Sequence, residues 1–151
     1  MASEPLRLRV TREIQIDVGH RLPFHNAACC NVHGHRYRIV AEVEGPVVAS
    51  HRASDNAMVA DFAVLKEVLM REVHDPLDHA FMVWEEDQPL RGFLESQGWR
   101  LVVMNDPPTA EALATWCYRR VQAALSQRNA ALSLKRLTVW ETPNCSAVCE
   151  A

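Results

Sequence analysis

Apolar and polar residues alternate along residues 6–18. Leu8, Val10, Ile14, Ile16 and Val18 keep a period of two, the spacing of a half-buried strand. Residues 35–44 repeat the pattern, with Tyr37, Ile39, Ala41 and Val43 set against His35, Arg38, Glu42 and Glu44, and Gly45-Pro46 ends the run. Between the two runs, residues 23–31 read as a loop; residues 47–57 read as a polar turn. The period then changes. Asp61 is placed to cap a helix reaching about residue 73, with Phe62, Leu65, Leu69 and Val73 at helical spacing. Residues 75–79, with Pro76, break it. A short helix is predicted over 85–98 and a short strand over 99–104. Pro107-Pro108 opens a longer helix over 109–126, whose apolar stripe is Leu113, Trp116, Cys117, Val121 and Ala124. A strand over 132–141 and a short one over 147–150 follow. This order predicts an α+β fold: an antiparallel sheet with helices packed on one face.

Composition narrows the class. The 151 residues suit one domain, 1–151, with a core large enough to fold without metals or disulfides. The longest apolar run, 80–84, has five residues, against the roughly 20 of a membrane helix. Met1–Val10 mixes charges and has no apolar h-region, so no secretory signal peptide is expected. The five cysteines are an odd number with no CxxC pair, which points to a reducing cytoplasm rather than a disulfide framework. A net charge of −3 argues against a general nucleic-acid binder.

The histidines carry the chemistry. In His33-Gly34-His35, side chains two apart on a strand share a face, and His20, at the end of the first strand, is placed to join them across a hairpin. Three neutral imidazoles with one open position describe a catalytic metal site. Zinc, iron, nickel and copper all suit such ligands. An HxH pair on a strand is also compatible with a solvent-facing or hydrogen-bonded role. Cys29 precedes His33 by four residues. It reads either as a thiol whose pKa a dication lowers, acting as base or nucleophile, or as a small buried hydrophobe. Cys30 points elsewhere, Cys117 lies on the helix stripe and reads as core, and Cys145 and Cys149 read as structural. Asp78-His79 pairs a carboxylate with an imidazole, the parts of a proton relay. Glu141 ends a strand; it is either an ordinary exposed glutamate or an acceptor for paired N–H donors of a heterocycle. No GxSxG, P-loop or GxGxxG occurs.

Six segments in order resemble the 6-pyruvoyl-tetrahydropterin synthase family: 19–23 (GHRLP), Cys29 with 32–35 (VHGH), 58–62 (MVADF) with Leu65-Lys66, 77–79 (LDH), 108–111 (PTAE) and 141–143 (ETP). The resemblance implies a tunnelling T-fold, an antiparallel sheet backed by two main helices. It also implies a homo-oligomer, commonly a hexamer of two trimers, with active sites between subunits. His20, His33 and His35 match the zinc ligands and Cys29 the proton-abstracting cysteine. Asp78 and His79 match its relay. Glu141 matches the glutamate that anchors the pterin and is counted with the relay, and Thr109 and Glu111 match the neighbourhood that helps hold the ring. The implied substrate is 7,8-dihydroneopterin triphosphate; Arg21, Arg36 and Lys66 are unranked candidates for its phosphates. C-x3-HGH spacing matches the 6-carboxytetrahydropterin branch of queuosine biosynthesis, in which acetaldehyde and triphosphate are released. The biopterin branch loses triphosphate alone and has a longer gap. Two departures stand out: Cys30 adds a thiol at the x2 spacing, and 81–106 is longer than in a compact bacterial member. A cupin-like metal oxygenase fits less well, because Glu42 comes too late after His35 and two helices are predicted. A non-catalytic metal or pterin-binding module is the remaining alternative.

Overall fold

The computed structural model describes residues 6–151. The first half of the stretch read for a signal peptide therefore lies outside the described residues. Strand β1 (Arg7–His20) pairs with β2 (His33–Pro46) along their whole length, from Arg7↔Pro46 to His20↔His33. Both strands outrun their predicted ends. Gly19 and Gly34 face each other there, and a Cβ on Gly34 would stand 3.0 Å from the Val18 carbonyl oxygen. The outward face of the hairpin carries exposed ion pairs, Arg9 with Glu42 and Glu44, Glu13 with Arg38 and Asp17 with Arg36. Each is worth little, up to about 1 kcal/mol. The inward face supplies Ile14, Ile16, Val18, Tyr37, Ile39 and Val43 to the core.

Helix α1 (Phe62–Leu69) starts at Asp61, whose carboxylate accepts the Ala63 N–H at 2.7 Å. It does not stop at Pro76. A π-helical turn (Met70–His74) widens the helix, with the Asp75 N–H donating to Met70 O, and α2 (Asp75–Leu77) adds a last turn. Pro76 falls at the second residue of α2. Helix α4 (Ala110–Arg128) buries Leu113, Cys117, Val121 and Ala124, most of the predicted stripe, with Trp116 packed partly against the core.

The sheet is mixed rather than antiparallel throughout. Its order is β4-β3-β1-β2-β5-β6, where β5 (Ser133–Thr142) and β6 (Cys145–Glu150) extend the antiparallel side. On the other side β3 (Ala80–Trp84) and β4 (Leu101–Met104) run parallel to β1. The sequence pattern did not predict β3, because it does not alternate. Met82 faces the main core, whereas Val83 and Phe81 pack with Leu90 and Leu94 of α3 (Gln88–Ser96) in a second cluster. A strand covered on both faces reads as an unbroken apolar run. The two main helices, α1 and α4, share one face as expected; α3 covers the opposite face at the β3–β4 end.

Candidate functional site

Register builds the imidazole cluster. His20 pairs with His33 and Val18 with His35, so the three imidazoles project from one face at the loop end of the hairpin. One ligand atom from each lies within 4.8 Å of the others. His20 is only 2 % exposed. Its Nδ1 lies 2.7 Å from Pro108 O, and His33 Nδ1 lies 2.8 Å from Asn31 O. A carbonyl oxygen only accepts, so both Nδ1 atoms carry the proton and both Nε2 lone pairs are left for a ligand. Thr109 fixes the Pro108 carbonyl: its hydroxyl accepts the Ala112 N–H at 3.2 Å and caps α4. Burial lowers the His20 pKa, and the Pro108 hydrogen bond opposes it, so the neutral form is favoured. Locked tautomers, all-nitrogen donors and an open side fit a divalent cation such as zinc.

Two more groups close on this cluster. Tyr37 lies two residues beyond His35 on the same face, and its hydroxyl donates to Glu141 Oε1 at 3.1 Å while lying 3.3 Å from His20 Nε2. Burial and the adjacent Glu141 push the Tyr37 pKa far up, so the phenol stays protonated. Glu141 Oε1 is 3.8 Å from His20 Nε2 and 3.9 Å from His35 Nε2.

Asp78 and His79 form a separate cluster at the start of β3. His79 Nδ1 lies 2.7 Å from Asp78 Oδ2, and Asp78 Oδ1 accepts the Asp17 N–H at 2.9 Å. The His79 N–H donates to Asp17 O at 2.7 Å. His74 Nε2 stands 3.7 Å from Asp78 Oδ2. Burial works to raise the Asp78 pKa, but the Asp17 N–H and His79 outweigh it and hold the carboxyl low. The His79 backbone is left-handed, with φ 58°, and its side chain is 74 % exposed. Cys29 lies half-buried in a short 3-10 turn (Ala28–Cys30) held by Leu22 N–H donating to Cys29 O at 2.8 Å. Among the described residues, no hydrogen bond joins Cys29 or the imidazole cluster to His79.

A family profile described as 6-pyruvoyl tetrahydropterin synthase matches residues 9–151. The chain belongs to this family. Its curated relatives include a 6-carboxy-5,6,7,8-tetrahydropterin synthase of Haemophilus influenzae, 29 % identical over 94 % of this chain and 96 % of that protein. One of the same name from Rickettsia conorii is 32 % identical over 91 % of this chain and 96 % of its own length. A probable one from Halobacterium salinarum is 33 % identical over 90 % and 82 %. Among solved structures, the 6-pyruvoyl tetrahydropterin synthase of Caenorhabditis elegans shares the fold with a TM-score of 0.68 at 20 % identity, over 99 % of both chains. The fold is thus the α+β T-fold of the 6-pyruvoyl tetrahydropterin synthase family.

Within the family frame the other candidates fall into distinct places. Thr109 and Glu111 line a cleft of about 640 Å³ with Trp116, Arg119 and Arg120, and none of the three imidazoles lines it. Arg21 is not a free cation: it grips Asp87, the buried cap of α3, through Nε at 2.7 Å and Nη2 at 2.5 Å. Arg36 pairs with Asp17 through two contacts of 2.9 Å. Lys66 is exposed on α1 and has no ion-pair partner among the described residues. Beyond Arg38↔Trp140, β5 leaves β2, and the gap forms a slot of about 630 Å³ lined by His35, Arg36, Arg38, Trp140 and Glu141. Cys117 is buried in the core, where burial pushes its thiol pKa up. Tyr37 was the group missed by the sequence reading. Its signal was present, since the period of two that aligns His33 with His35 also aligns Tyr37.

Proposed function

We propose that the chain is a zinc-dependent carbon–carbon lyase that converts 7,8-dihydroneopterin triphosphate to 6-carboxy-5,6,7,8-tetrahydropterin, taking up water and releasing acetaldehyde and triphosphate. This is the reaction of the queuosine-type branch, set in the cytoplasm. The observation that carries the reading is the imidazole cluster with both Nδ1 protons committed to carbonyls. The C-x3-HGH spacing and the names of the curated relatives support the choice of branch. Bound at His20, His33 and His35, zinc would act as a Lewis acid on side-chain oxygens of the substrate.

Cys29 is assigned as the base that removes carbon-bound protons, with His79 oriented by Asp78 as its relay. Within one chain, among the described residues, Cys29 is hydrogen-bonded to neither His79 nor Asp78. The relay faces outward, which supports a homo-oligomer, a hexamer of two trimers, in which one subunit's His79 meets another's Cys29. Glu141, whose Oε1 lies within 4 Å of two imidazole nitrogens of the cluster, is assigned to accept the paired N–H donors of the pterin ring and is counted with the relay. Thr109 and Glu111 are assigned to help hold the ring. Arg36 and Arg38, in the slot that His35 and Glu141 also line, are assigned to the triphosphate.

Mass spectrometry of products from zinc-loaded protein and 7,8-dihydroneopterin triphosphate tests the reading. A 6-carboxy pterin with acetaldehyde is expected. A 6-pyruvoyl product without acetaldehyde would move the chain to the biopterin branch. No turnover would leave a metal- or pterin-binding module.

A further inference from the structure

We propose that Tyr37 is a positioning residue that couples metal occupancy to the orientation of Glu141. Its hydroxyl proton is shared with His20 while the centre is empty, and passes wholly to Glu141 once a cation takes His20. The proposal rests on the metal centre of the preceding reading and not on its substrate.

The argument is one of proton counting. Tyr37 is 0 % exposed, so its hydroxyl must find a partner inside the protein. A phenol has one proton to donate. Two acceptors lie in range, Glu141 Oε1 at 3.1 Å and His20 Nε2 at 3.3 Å. His20 Nε2 is an acceptor because Nδ1 already donates to Pro108 O. The two acceptors therefore compete for the same proton. A cation on Nε2 consumes the lone pair that Tyr37 was using. The phenol then donates to Glu141 alone, and a hydrogen bond to a carboxylate is the stronger kind. Among the described residues no other hydrogen bond holds the Glu141 side chain, so this bond sets its direction. Glu141 in turn keeps Tyr37 from obstructing the metal, because it offers the displaced proton a better place.

The consequence has a sign that a packing role would not give. Without Glu141, the phenol proton has only His20 Nε2, and Tyr37 becomes a competitor of the metal. Zinc affinity is measured by competition with a chromogenic chelator for the wild type, Tyr37→Phe, Glu141→Ala and the double variant, with thermal melts of each metal-free protein. Tyr37→Phe is expected to bind zinc at least as tightly as wild type. Glu141→Ala is expected to bind more weakly, and adding Tyr37→Phe to it should restore affinity by roughly fivefold, the worth of one neutral hydrogen bond. A double variant no tighter than Glu141→Ala, or a tenfold loss in Tyr37→Phe alone, overturns the proposal. A second readout needs no change at Tyr37. Zinc added to wild type should perturb the tyrosine ultraviolet spectrum, and Tyr118→Phe, which removes the other of the two tyrosines, should leave that signal intact. Absence of the signal in the Tyr118→Phe protein also overturns it. Neither readout depends on turnover, so a wrong substrate would appear as missing product with this pattern unchanged.

Discussion

The two chemical clusters sit at the same end of the sheet and are built on opposite principles. The imidazole cluster faces inward, with His20 buried and His33 and His35 half-buried, and it is over-determined. Register sets the face, carbonyls of Pro108 and Asn31 set the tautomers, and Tyr37 and Glu141 close one side. The Asp78–His79 pair is anchored at its base, by the Asp17 backbone, by His74 and by Arg100 donating to the Asp78 carbonyl, with the imidazole turned to solvent on a left-handed backbone. A group meant to hold an ion gains from preorganisation inside its own chain. A group meant to move protons at a subunit boundary must reach out of it. The contrast supports the division of labour in the proposed function, and it can be broken from either side.

The largest effect is expected at the imidazole cluster. His33→Ala removes one of three candidate ligands and should lower zinc affinity more than loss of a carbonyl that orients a ligand would, by more than about 100-fold. Metal content after dialysis reads it, and retention of a full complement would mean the site is drawn wrongly. His79→Ala should keep its zinc and lose turnover by roughly 100-fold or more, the scale of acid–base catalysis. Cys29→Ala should do the same. If the relay works across an interface, mixing the two inactive proteins and letting subunits exchange should recover part of the activity. Mixed oligomers that stay dead would place Cys29 and His79 in one chain and remove the contrast.

The imidazole cluster was legible in the sequence because it obeys the strand period. Alternation located β1 and β2, and the hairpin register then forces His20, His33 and His35 together. The relay was legible only as adjacent residues, Asp78 and His79; nothing local encodes the left-handed turn that aims them. The β3 strand escaped for a related reason. Its order comes from burial on both faces, by the main core at Met82 and by α3 at Val83, and burial of that kind is a tertiary fact. Arg21 shows the limit on charges: sequence offers it as a phosphate ligand, and only the fold reveals Asp87.

That pair tests how far the imidazole cluster depends on α3, since Arg21 directly follows His20. Asp87→Asn removes the charge that both Arg21 contacts use. Breaking a buried pair costs about 3–5 kcal/mol, and Arg21 is partly exposed, so roughly 2–3 kcal/mol of stability should go. Denaturant melts measure it. Arg21 holds the Asp87 pKa below its ordinary 3.8. The unfolded chain therefore takes up a proton first as pH falls. The stabilisation is complete above that ordinary value and is lost as pH drops through the lower folded one. The wild-type advantage over Asp87→Asn should shrink in the same window. An advantage that persists unchanged below it would mean the charge was not what mattered.

The smallest effect concerns strain in the exposed pair. A left-handed backbone costs a β-carbon-bearing residue about 1 kcal/mol or more, and glycine almost nothing. His79→Gly should therefore be more stable than His79→Ala by about 1 kcal/mol, although both lack the imidazole. Glycine also loosens the unfolded chain, which takes back part of the gain. The comparison is made on thermal melts at neutral pH, with both proteins zinc-loaded. Equal stability would show that the turn relaxes once the imidazole is gone, and that the Asp78 hydrogen bond itself imposes the conformation. A clear glycine advantage would show the reverse. The turn would then be set by the Asp17 backbone contacts and by β3, and the protein would accept a strained residue at position 79 in order to present an imidazole outward.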